Sequence, residues 1–285
     1  MKENLLDLSG KIEEPTVSIY EITSEVADTL NISFFVVGAS ARDLILKFAY
    51  GIYPIRATID IDIGVQLAVW DDFHKLSNAL IETGRFTKSE EAQRFLFNNI
   101  PVDIIPFGSI AAYSNQISWP PESEFSMNVS GYSEAYDNSI IVRLRSSPVL
   151  DIRVASLAGL IMLKLISFYD RSAGSGRDAK DIFFIIENYL YAGNEDRLFE
   201  ENQDVIDEDN FSLSLAGARL LGRDIAKITN AETKKLVLQI INNETNANSQ
   251  FRLVSQATEY STDLDNFFER RLNQLNYLSR GLMEG

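Results

Sequence analysis

"RATIDIDIGV", Arg56 to Val65, sets two aspartates, Asp60 and Asp62, one residue apart inside a run of β-branched residues. Strands disfavour Asp, whose short carboxylate competes with the backbone for hydrogen bonds and gains nothing from a half-buried surface. Alternate side chains of a strand share a face, about 6.6 to 7 Å apart. Asp60 and Asp62 therefore point one way, and Ile59, Ile61 and Ile63 point the other way into a core. Two carboxylates on one face repel each other unless a cation sits between them. Asp103, flanked by Val102, Ile104 and Ile105, is a third acid in an apolar strand. If that strand lies beside the first, the three acids can hold two Mg²⁺, the arrangement used in two-metal phosphoryl transfer. The plain alternative is an open sheet on which Asp60 and Asp62 face solvent.

Upstream of these acids, "SFFVV" reads as a buried strand and "GASARDLILKF" as a helix entered through a tight turn at Gly38. A helix start offers backbone N–H groups and a positive end to phosphates. Ser40 can add a hydroxyl donor there and Arg42 a charge. The alternative reading is that Gly38 serves only close packing of strand and helix, with Arg42 and Asp43 as surface residues. Residues 16 to 30 have helical spacing, as does "DDFHKLSNALIETG", while "RFLFNN" and "VDIIPFG" read as a hairpin closed around Asn98 to Pro101. Strands at "SIIVRL" and "VLDIRV" complete a mixed sheet flanked by helices, an α/β (α+β) class.

From Ala155 onward the pattern is helical: "ASLAGLIMLKLISFYD" and "RDAKDIFFIIENYLY" are joined by the Gly/Ser turn "RSAGSG". The acidic segment "NEDRLFEENQDVIDEDN" reads as a solvated loop or helix surface, and "LSLAGARLLGRDIAKI", "ETKKLVLQIINNE" and the last thirty residues as helices. Lys164 interrupts an apolar run, so its ammonium must snorkel to water or meet an anion. Arg171, seven residues on, can join it in a cationic wall. Asp178 and Asp181, at i and i+3, share a helix face and can be either site residues or that helix's capping and salt-bridging residues.

Composition bounds the chemistry. The 285 residues include no cysteine and a single histidine, His74, which excludes thiolate and multi-histidine metal sites and leaves hard, oxygen-bound ions. No apolar run is long enough for a membrane span, and the first residues lack the zones of a signal peptide, so a cytoplasmic protein is expected. A net charge of −15 argues against general nucleic-acid affinity. Between Ile141 and Lys180, however, seven basic residues face three acidic ones. That stretch either complements acidic neighbours within the fold or forms a docking place for RNA.

Together "VVGASARDLIL", "TIDIDIGV" and "PVDIIPFG" resemble the DNA polymerase β nucleotidyltransferase superfamily, with its glycine pair at a helix start, acid-x-acid strand and third acid. The second half, through "SLAGLIMLKLISFYDR" and "GRDAKDIFFI", resembles the AbiE-type toxin nucleotidyltransferases. The resemblance implies a polymerase-β-like domain over residues 1–150 and a helical domain over 151–285 that completes an active-site cleft. It implies Gly38 and Ser40 at the NTP triphosphate, with Ala39, which replaces the family's second glycine or serine, still offering its N–H. It further implies Asp60 and Asp62 on both Mg²⁺ ions, Asp103 on the catalytic metal and as base, Lys164 at the nucleotide phosphates, and Asp178 with Asp181 supporting the site. The implied activity is transfer of an NMP to an RNA hydroxyl, tRNA foremost, by a toxin with a separately encoded antitoxin. The rival expectations are a small-molecule acceptor such as an aminoglycoside, a protein hydroxyl, or a non-catalytic module that binds nucleotide and signals.

Overall fold

A computed structural model describes residues 5–54, 58, 60–111, 115–119, 126–171, 176–206, 212–258 and 264–285. Arg56, Ala57 and Ile59 of the acidic stretch, residues 172–175 of the Gly/Ser turn and residues 207–210 of the acidic segment lie outside the described residues. The chain forms two compact units, Met1–Ser156 and Leu157–Gly285.

The first unit is built on β1 (Leu5–Asp7), β2 (Ser33–Val37), β3 (Ile61–Gln66), β4 (Phe86–Lys88), β5 (Arg94–Phe97), β6 (Ile100–Phe107), β7 (Gln116–Ser118), β8 (Ser126–Asn128), β9 (Ile140–Ser146) and β10 (Val149–Val154). Eight of these make one mixed sheet in the order β1-β9-β10-β2-β3-β6-β5-β4, and β7 pairs with β8 apart from it. Its helices are α1 (Glu14–Leu30), α2 (Gly38–Asp43), α3 (Trp70–Glu82) and α4 (Tyr132–Asp137). The expected "GASARDLILKF" helix is α2 continued by a π-helical turn over Leu44–Ala49, whose Leu44, Ile45 and Leu46 are buried.

The alternation expected around Asp62 holds within β3. Ile61, Ile63 and Val65 are buried on one face, and Asp62 is half-buried on the other. Asp60 lies just ahead of the strand's first residue rather than inside it. On the Asp62 face, Gly64 lies under the Phe35 ring, which would stand 2.4 Å from a Cβ at that position. Phe35 in turn makes edge contacts with Phe107 at 5.4 Å and Tyr136 at 5.6 Å. Such pairs add about 0.5–1.5 kcal/mol each beyond area burial. One end of this face is thus sealed by aromatic rings, and the acids occupy the other.

The hairpin closes more tightly than expected. Asn98 (φ 49°) and Asn99 (φ 68°) form its turn, and Ile100 and Pro101 already belong to β6. Two consecutive positive φ values match the two-residue turn whose twist suits a hairpin, and Asn tolerates them. Counting outward from Phe97 opposite Ile100 brings Arg94 opposite Asp103.

The second unit is helical: α5 (Leu157–Asp170), α6 (Arg177–Asn188), α7 (Glu195–Glu201), α8 (Leu213–Ile228), α9 (Ala231–Thr245), α10 (Arg252–Thr258) and α11 (Leu264–Glu284). Helix α5 is buried almost all round, as its unbroken apolar run requires. The acidic segment is more than a solvated surface. Leu198 of α7 and Asn202 are buried, and Asp204 pairs with Arg223 and, at 3.4 Å, with Arg219. No described helix is long and apolar enough to cross a membrane.

Candidate active site

Sheet register assembles the site. In β2, β3, β6 and β5, Val37, Asp62, Asp103 and Arg94 stand directly opposite one another in a row across four adjacent strands. Residues directly opposite share a face, so Asp62 and Asp103 project on the same side from neighbouring parallel strands. The strand adjacency on which the reading of three acids depended is therefore present.

Gly38 follows Val37 at the end of this row. Its φ is +65°, and a Cβ there would lie 2.0 Å from an Asp62 Oδ2. Glycine is required twice over, by the left-handed backbone and by the carboxylate seated against it. The start of α2 consequently adjoins Asp62, where unpaired helix N–H groups favour negative charge. Ala39 is half-buried beside it.

The side chains following Gly38 are turned to the fold. Ser40 is buried, and its hydroxyl donates to the Val37 carbonyl at 3.1 Å. Tyr20, fully buried on α1, lies near Ser40, Asp62 and Asp43; burial, reinforced by the two carboxylate charges, pushes its hydroxyl well above the usual tyrosine range. Arg42 is 3% exposed and donates to Asp43 through Nε at 2.8 Å and Nη2 at 2.6 Å. Neither Arg42 nor Asp43 is a surface residue, and the Arg42 charge is answered within the helix.

Sequence reasoning missed Arg94. Its Nε and Nη2 donate to Oδ1 and Oδ2 of Asp103, each at 2.8 Å, a bidentate pair whose carboxylate side chain is 14% exposed. Its Nη1 also reaches Glu91 at 3.2 Å. The hydrogen bonds to Asp103, with the charges of Asp103, Glu91 and Asp60, hold the guanidinium above its already high range. The missing signal was available in the turn: a two-residue Asn98–Asn99 hairpin requires this pairing. Tyr20 carried no such signal, because only the packing of α1 brings it to the site.

Among the described residues, no group of three or more His, Asp or Glu side chains is gathered closely enough to hold a metal ion. The donor chemistry nevertheless fits Mg²⁺: three hard carboxylates, two of them in register. On Asp103 a guanidinium stands where a cation would be required.

In the second unit, Lys164 meets an anion rather than water. It is 8% exposed and donates to Asp181 at 2.7 Å and Asp178 at 3.3 Å. Arg171 reaches the other Asp178 oxygen at 2.8 Å. The expected cationic wall is instead a cluster of two cations and two anions. Three other basic residues of the 141–180 stretch behave similarly: Arg143 holds Asp151 by two bonds of 2.8 Å, Arg145 pairs with Glu21, and Arg153 lies over the Tyr136 ring at 5.3 Å. Their charge complements acids and rings within the fold.

A family model described as "Nucleotidyl transferase AbiEii toxin, Type IV TA system" matches residues 25–269. No curated protein matches the chain. Among solved structures, ANT(2")-Ia in complex with adenylyl-2"-tobramycin aligns with a TM-score of 0.37 and 13% identity, covering 64% of this chain and 98% of that one. A CCA-adding enzyme with ATP aligns at 0.32 and 15%, covering 92% and 66%. The Thermotoga maritima CCA-adding enzyme complexed with tRNA aligns at 0.31 and 12%, covering 97% and 83%.

Proposed function

This chain belongs to the AbiEii nucleotidyl transferase toxin family, and from that premise we propose that it moves an NMP from an NTP to a hydroxyl of RNA, tRNA foremost, with Mg²⁺. The observation that carries this reading is the register pair Asp62 and Asp103, set beside the Gly38 turn. Asp60, Asp62 and Asp103 would hold the metal, which when bound offsets phosphate charge and acidifies a hydroxyl. The backbone N–H groups from Gly38 to Ser40 receive the triphosphate at the start of α2. Asp103 accepts the proton of the acceptor hydroxyl as the new O–Pα bond forms. The bond from Pα to the bridging oxygen breaks, and pyrophosphate leaves with its electron pair. Growth inhibition, countered by a separately encoded antitoxin, is the biological outcome proposed with the family.

A second reading has its own support. The net charge is −15, and Arg143 and Arg145 of the basic stretch are engaged in internal ion pairs, which suits a small cationic acceptor such as an aminoglycoside. One experiment separates the two: Mg²⁺ and each labelled NTP in turn, offered with total tRNA or with an aminoglycoside, beside an Asp60→Ala/Asp62→Ala control. Label in tRNA that is absent from the control supports the first reading. Label in the aminoglycoside alone supports the second, and pyrophosphate release in neither, with any NTP, overturns both.

A further inference from the structure

We propose that Arg94 is the resident cation of this site: it occupies Asp103 when nucleotide is absent, and divalent metal binds there only as the guanidinium lets go. The inference rests on the reading of Asp60, Asp62 and Asp103 as the metal-holding residues.

Three observations carry it. First, Arg94 engages both Asp103 oxygens at 2.8 Å, the two-pronged geometry in which a carboxylate is held most firmly. The lone pairs and the charge that would receive a metal are thereby committed. Second, the hairpin delivers this arginine by register, so its placement follows from the Asn98–Asn99 turn and not from a chance side-chain contact. Third, Arg94 has somewhere to go. Glu91, half-exposed, lies 3.2 Å from its Nη1 and remains as counter-charge when Asp103 is released.

The arrangement solves a problem that Asp62 and Asp103, side by side on neighbouring strands, create. Without a cation their mutual repulsion opposes folding. A guanidinium held by the fold relieves it when no metal is bound, and at the same time repels a dication by one unit of charge. Metal alone therefore binds weakly. An incoming triphosphate adds oxygen ligands and negative charge, which favour the metal over the arginine, so metal and nucleotide bind together. Arg94 is in this sense a positioning residue acting through Asp103.

The test measures metal binding directly, by the electron paramagnetic resonance of Mn²⁺ titrated into the full-length protein without nucleotide. Arg94→Gln, which retains length and polarity, is expected to bind Mn²⁺ about tenfold more tightly than the wild type, the order that removal of one unit charge beside a dication produces. Arg94→Lys, which keeps the charge, is expected to stay within about threefold of the wild type. Thermal melting adds an independent readout: Arg94→Gln melts lower than wild type in metal-free buffer and recovers with Mn²⁺. Equal or weaker Mn²⁺ binding by Arg94→Gln, while Asp62→Asn abolishes the wild-type signal, overturns the role of Arg94 and leaves the metal site standing. Equal Mn²⁺ binding by wild type and Asp62→Asn, with and without NTP, overturns the metal site and this inference together.

Discussion

At the scale of single residues, two glycines, one opening α2 and one within β3, do different work. Gly38 has φ +65° and leaves no room for a methyl group beside the Asp62 carboxylate. Gly38→Ala forces a left-handed alanine, at about 1–2 kcal/mol, and displaces that carboxylate. Misplacing a reacting group by about 1 Å costs on the order of 100-fold in rate. The expected outcome is a melting temperature lowered by a few degrees and nucleotide transfer lowered about a hundredfold. Gly64 has ordinary backbone but lies under Phe35, so Gly64→Ala overpacks the sheet face at a cost of about 1–3 kcal/mol. Its expected signature is the reverse: a lower melting temperature with near-normal transfer per folded molecule. Comparable rate losses in both variants would mean that Gly38 matters only for packing. The Asp pair was legible at this scale because carboxylates are anomalous in a β-branched run. Tyr20 and the turned-in Arg42 were not, since burial of a polar side chain depends on what packs over it.

At the scale of elements, hairpins and amphipathic helices were legible and ion-pair partners were not. Hydrophobic spacing located β2, α1, α3, β9, β10 and the long helices of the second unit, because periodicity reports which face is buried. The short β1, β4, β7 and β8 left no pattern, since three residues do not establish alternation. Within α5 and α6, Lys164 with Asp178 and Asp181 is an element-joining cluster, and breaking a buried pair from one side costs about 3–5 kcal/mol. Lys164→Met is expected to lower stability by about 3 kcal/mol in denaturant melts, and Lys164→Met/Asp181→Asn to recover part of it, a coupling of about 1 kcal/mol or more. Additive losses would show that the bond between them contributes nothing. A second cluster centres on Asp224 of α8, which receives Tyr189 at 2.6 Å, Arg197 at 2.8 Å and Lys227 at 3.0 Å. Burial pushes the Asp224 carboxyl up, but these donors together hold it below its ordinary 3.8. A carboxyl depressed in the folded state stabilises fully above its unfolded pKa, and that contribution is lost as pH falls through the folded value. Asp224→Asn is therefore expected to be less stable than wild type at pH 7 by about 1–3 kcal/mol, with the gap narrowing steadily below about pH 4. A gap independent of pH in acid titration melts would remove the charge from this account.

At the scale of the whole molecule, the issue is how a chain of net charge −15 meets its acceptor. Local charge counting marked residues 141 to 180 as basic but had no access to their partners, because Glu21, on α1, is far from Arg145 of β9 in sequence and adjacent to it only in the folded chain. Arg143 and Arg145 are committed to Asp151 and Glu21, pairs that are each about one-third exposed or less. Such pairs contribute about 0.2–1 kcal/mol apiece, and their reversal adds like-charge repulsion of similar size. The double reversal Arg143→Glu/Arg145→Glu should then lower stability by about 1–3 kcal/mol, and adding Glu21→Arg/Asp151→Arg should restore it. If these arginines act only within the fold, tRNA labelling by the reversed protein, assayed well below its melting temperature, stays within about twofold of wild type. Phosphate contacts behave otherwise: each one lost weakens binding and flattens its salt dependence, and exchange of partners within the fold does not bring them back. A tenfold loss of labelling that persists in the four-residue swap, together with a shallower salt slope, would return this stretch to the acceptor surface. Retained labelling with restored stability would instead confine Arg143 and Arg145 to a role within the fold and direct the search for the acceptor to other residues of the molecule.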